Sequence, residues 1–125
     1  MNPELKIRYL KIALMMTGLI FIFAIMPLMH YWPSGWQWLP NQSEYEQMII
    51  GVYATLGVFL VMAARDPLKH LSLIWFTVWS SVVHGGIMLV QAMVDKSEHG
   101  HLYGDVPALF IVAIVLALLT PRKIN

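Results

Sequence analysis

The chain has 125 residues, 58% hydrophobic and only 12% charged, against roughly 25% charged in an average soluble domain. A formal net charge of +1 leaves no basic surface for gripping phosphates, so composition argues against nucleic acid as a partner. With no cysteine, the chain has no means to form disulfides, thiolate metal sites or iron–sulfur clusters, and it carries no thiol nucleophile.

Asn2, Pro3 and Glu4 make a helix start: a capping side chain, proline at the first helical position and an acid in the first turn. Lys6, Arg8 and Lys11 lead into an apolar run from Ile12 to Met29, predicting a first membrane span over residues 10–30. A basic head before an apolar run also describes a signal peptide, but this run is long for one and no small-x-small site follows, so the helix is expected to be retained. Pro27 frees the carbonyl of Phe23 and predicts a kink, with Met26, Met29 and His30 around an irregular outer end.

Residues 31–42, YWPSGWQWLPNQ, hold three of the five tryptophans with two prolines and a glycine, which predicts an outer loop over 31–45 lying in the headgroup zone. Ser43 with Glu46 is a capping-box pair, and the apolar run from Met48 to Ala64 predicts a second span over 46–64. Its small residues Gly51, Ala54, Thr55 and Gly57 permit close approach by another helix. The expected neighbour is the third helix, because only Arg65 to Lys69 intervene and Asp66-Pro67 should start that helix at once, as the second arm of an antiparallel hairpin.

From Leu71 to Val94 no residue is charged, which at about 1.5 Å per residue gives about 36 Å of helix, enough to cross a hydrocarbon layer. Within this third span, 70–94, Thr77, Ser81, His84, Met88, Gln91 and Asp95 recur at steps of three and four and so share one face. Such a face does not suit lipid, and an ionisable group at mid-depth is a candidate functional site by default. That group is His84. Residues 95–105, DKSEHGHLYGD, predict a polar outer loop, and Asp105 with Pro107 opens a last span over 106–121 with Arg122 and Lys123 snorkelling at its inner end.

Seven of the eight basic residues flank the N-terminus, the middle link and the C-terminus, with Lys96 the exception. The positive-inside rule then predicts an all-α four-transmembrane-helix bundle, multi-pass in the cell inner (plasma) membrane, with both termini cytoplasmic.

The groups able to bind a ligand collect in the outer half. His84, Gln91 and Tyr53 are expected to line a polar pocket together with His30, and Tyr53 lies at the depth of His84 by counting turns, so a hydrogen bond between them is the simple structural role for that histidine. His99-Gly-His101 on a flexible loop, with Glu98 and Asp105 adjacent and His84 below, is a candidate set for zinc or copper, and outer methionines would add soft ligands. Haem between histidines on facing helices is a weaker fit, because His84 lies about 20 Å above the cytoplasmic end and His30 about 30 Å. The leading expectation is binding of a metal or small ligand at an outward-facing site. The alternatives are an accessory subunit of a membrane complex or homo-oligomer, and a membrane enzyme or haem- or quinone-binding protein. Ser80 and Ser81 one turn before His84 do not make a convincing nucleophile, since serines in apolar helices bond back to their own carbonyls.

Overall fold

The structure is a computed structural model that describes residues 2–36 and 44–121, with no strand among them. The expected Ser43 cap, the Glu46 side chain, residues 37–42 of the tryptophan segment, and Arg122 with Lys123 lie outside what it describes.

Helix α1 (Pro3–Leu19) begins as its sequence predicts, the Asn2 side chain accepting the Glu4 amide at 2.8 Å. It continues through a π-helical segment, Ile20–Ala24, into α2 (Ile25–Tyr31). The wide turn sits just before Pro27, whose missing N–H leaves Phe23 without its usual donor, so the expected kink takes the form of a π-bulge. A short α3 (Pro33–Trp36) follows, then α4 (Glu44–Ala63).

The link after α4 departs from expectation. Asp66 makes no capping bond; Pro67–Lys69 form a single 3₁₀ turn, and α5 (Leu71–Val94) starts only after His70, whose carbonyl accepts the Ile74 amide at 3.1 Å. Residues 95–105 are also not the flexible polar loop expected: Lys96–Tyr103 form a 3₁₀ helix that runs almost directly into α6 (Asp105–Leu119).

Among the described residues three helices are long and apolar enough to cross a membrane: Pro3–Tyr31, Leu71–Val94 and Glu98–Leu119. Gln47–Ala63 within α4 is a shorter apolar helix. The surface is inside-out for water, since Val52, Phe76, Trp79, Val90 and Leu118 are each 61% or more exposed, as lipid-facing side chains are.

The main core joins four helices at the end of the bundle where α1 begins and α6 finishes, the inner end, opposite the outer one: Leu10 and Leu14 of α1, Leu60 and Ala63 of α4, Ile74 and Val78 of α5, and Ala113 and Leu116 of α6. A second, smaller cluster of Met88, Val106 and Leu109 packs nearer the outer end. In the packing order, α5 lies on α6, α6 on α1 and α1 on α4. The expected close pairing of the second and third helices is therefore corrected, because α4 and α5 do not pack backbone against backbone over their length.

The small residues of α4 meet α1 instead. A Cβ on Gly57 would come within 2.6 Å of the Gly18 carbonyl oxygen, and one on Gly18 equally close to that of Gly57, so the crossing needs both glycines. Gly51 faces open space, and the Thr55 hydroxyl donates to its carbonyl at 2.9 Å. With α1 taking the close contact, α4 and α5 stand apart toward the outer end and a cleft opens beside them.

Candidate functional site

The cleft has a volume of about 1050 Å³, at the upper end of the roughly 300–1,000 Å³ usual for small-molecule sites. Its walls are Ile20, Phe21, Ile25 and Leu28 from the first helix, Ile49 and Ile50 from α4, Met88 from α5, and Leu109 and Val112 from α6. Polar groups enter at two levels: Tyr53 with His84, and, about 10–16 Å further out by helical rise, Gln91 and Asp95 with Glu98 and Asp105.

The inner part of the α5 stripe needs no partner from outside. Thr77 and Ser81 are buried, with the Thr77 hydroxyl bonding the Leu73 carbonyl at 2.9 Å, and Ser80 bonds the Thr77 carbonyl at 3.3 Å. The first group beyond them that addresses another helix is His84. Its Nδ1 hydrogen-bonds the Tyr53 hydroxyl across the gap between α4 and α5. The two rings lie 5.4 Å apart and tilted by 34°, and Phe21 presents its edge to Tyr53 at 5.0 Å. The simple structural role foreseen for His84 is thus present, but it engages one ring nitrogen only. Among the described residues Nε2 has no hydrogen-bond partner, and the residue lines the cleft.

At the outer level the 3₁₀ helix assembles a buried trio. His101 Nε2 meets Glu98 Oε2 at 2.9 Å and His101 Nδ1 meets Asp105 Oδ1 at 2.9 Å, with the three residues only 1%, 5% and 7% exposed in the order His101, Glu98, Asp105. Three residues per turn in a 3₁₀ helix bring Glu98 under His101, and the entry into α6 brings up Asp105. Each N···O contact needs one proton. An imidazolium between two carboxylates, or a neutral imidazole with one protonated carboxyl, both give two shared protons and a net charge of −1 for the trio.

The segment is held in place by glycines. A Cβ on Gly100 would collide with the Ser34 carbonyl and one on Gly104 with the Gly35 carbonyl, so the 3₁₀ helix and α3 touch backbone to backbone over the outer end of the cleft. Trp36 lines the cleft beneath this contact with its indole N–H buried and, among the described residues, without an acceptor.

Of the residues expected at the site, Tyr53, His84, Gln91, Glu98 and Asp105 line the cleft, and His101 joins the last two. His99 is exposed while His101 is buried, so the two imidazoles do not converge. His30 is exposed and stacks edge-on with Tyr31 at 4.8 Å rather than entering the cleft. Among the described residues no group of three or more His, Asp or Glu side chains is arranged to hold a metal ion. Sequence reasoning missed Trp36, whose place follows from the Gly35 and Gly104 contact, and Phe21, which reads in the sequence only as one more apolar position.

No curated protein and no solved structure matches the chain. A family model does, over residues 5–123, and with that coverage of both the helices and the cleft the chain belongs to DUF6632, a family of unknown function.

Proposed function

We propose that this is a four-span inner-membrane protein, both termini cytoplasmic, that binds a small lipid-soluble molecule in the cleft. The α4 helix counts as the fourth span: its apolar part, Gln47–Ala63, reaches about 25 Å, close to the thickness of the hydrocarbon layer. The distribution of basic residues supports the orientation and turns the cleft's acidic end outward.

The observation that carries the proposal is the cleft itself, a large apolar space kept open by two sequence-adjacent helices standing apart, with polar groups confined to two levels. Apolar walls with a few convergent polar groups are the form of a site for an amphipathic ligand. Binding is favoured over turnover, because the cleft is predominantly apolar and its one inner polar pair, Tyr53 and His84, is engaged with itself. Copper or zinc has less support, since both nitrogens of His101 are engaged by carboxylates and His99 points elsewhere. Haem has less still, because His30 does not share the cleft with His84.

The test is extraction of the protein with its surrounding lipid into nanodiscs, followed by mass spectrometry of the small molecules retained by wild type and by Ala108→Phe, which fills the cleft from α6. A defined molecule held near one per protein by wild type and lost from an equally stable variant is the expected result. The same bulk lipids on both proteins would refute the proposal.

A further inference from the structure

Resting on that cleft, we infer that His84 Nε2 is the recognition atom for its occupant, and that the occupant is a neutral ring compound of the quinone or quinol class with its tail in lipid. Three observations lead there.

The first is depth. His84 lies about 20 Å along α5 from the cytoplasmic end, within the hydrocarbon layer, where a charged headgroup is heavily disfavoured and a neutral oxygen is not.

The second is the hydrogen-bonding character of the pair. When the Tyr53 hydroxyl donates to Nδ1, the imidazole proton sits on Nε2 and is offered to a carbonyl. When Nδ1–H donates to the phenol oxygen, Nε2 has a free lone pair and accepts from a hydroxyl. The same two residues therefore meet both the carbonyl of a quinone and the hydroxyl of a quinol, with the imidazole ring pinned in one place for either. A ligand with only a donor or only an acceptor would not need this adaptability.

The third is the surroundings. Tyr53 lies beside the His84 ring and Phe21 beside Tyr53, so the cleft offers aromatic surface at this level; Met88 lies one helical turn further along α5, and Ile25, Leu28 and Ile49 continue the wall with apolar contacts for a tail.

The experiment uses the full chain in nanodiscs, with a decyl-substituted benzoquinone as the probe and its hydroquinone form as competitor. Quinones quench tryptophan fluorescence, and Trp36 lies in the cleft wall. Wild type should show a saturable quench that the hydroquinone competes away. Replacing His84→Phe should weaken binding about tenfold, the loss expected for one hydrogen bond. His84→Gln, which keeps a donor and an acceptor, should retain part of the affinity, and Tyr53→Phe should weaken it by freeing the ring. Circular dichroism and thermal melting confirm that each variant is folded.

Both His84 variants binding within twofold of wild type would overturn the inference. If Ala108→Phe alone then abolishes the quench, the cleft remains a site and only the role of His84 falls. A wild-type quench that does not saturate also overturns the inference; the cleft proposal then stands or falls on the molecules retained in the extraction experiment.

Discussion

The trio of Glu98, His101 and Asp105 offers a sharp test of how the outer end is held together. Substituting His101→Leu puts an apolar side chain of moderate volume in its place and removes both ring nitrogens that meet the buried carboxyl groups. The two contacts, each 2.9 Å and nearly free of solvent, fall in the class of charge-assisted hydrogen bonds, at about 1.5–3 kcal/mol apiece. Glu98 and Asp105 take part in other interactions too, which places the expected loss near the lower end of the sum, about 3 kcal/mol. That corresponds to a more than hundredfold rise in the unfolding constant, at about 1.4 kcal/mol per factor of ten. The assay is reversible unfolding in mixed detergent micelles followed by circular dichroism. Adding Glu98→Gln and Asp105→Asn to the His101→Leu background removes the charges left facing each other and should recover about 1 kcal/mol or more. A His101→Leu protein within about 0.5 kcal/mol of wild type, or a triple variant no more stable than the single one, would refute the reasoning.

Two further predictions concern the scaffold. Gly18→Ala puts a methyl group against the Gly57 carbonyl and should destabilise by about 1–3 kcal/mol, whereas Gly51→Ala, with open space around it, should be neutral or stabilise by up to about 1 kcal/mol; thermal melts of the two variants decide the point. The natural chain has no cysteine, so single replacements Arg65→Cys and Lys96→Cys report topology directly: a membrane-impermeant maleimide applied to intact cells should label position 96 and spare position 65.

What could be read along the chain is what depends on counting along one helix. The 24 uncharged positions from Leu71 to Val94, the inward stripe through Thr77 and Ser81 to Met88, and the pairing of Tyr53 with His84 all rest on a rise of about 1.5 Å and a repeat of about 3.6 residues. Pro27 likewise announced an irregularity one turn upstream, since the missing donor is a local fact.

The choice among histidines was not legible in the same way. His99 and His101 look like a pair when 95–105 is taken as flexible chain. Once that segment is a 3₁₀ helix, residues three apart eclipse, so His101 takes Glu98 and Asp105 while His99 turns outward. Nor could Gly57 reveal its partner, because a stripe of small residues says only that some helix approaches closely. Sequence alone therefore determined where the apolar helices run and which face of α5 is polar. The tertiary structure alone decided that Gly18 rather than α5 meets Gly57, and hence that α4 and α5 part to leave a cleft: the order of helices around a bundle is set by complementary surfaces between elements, which no single helix encodes.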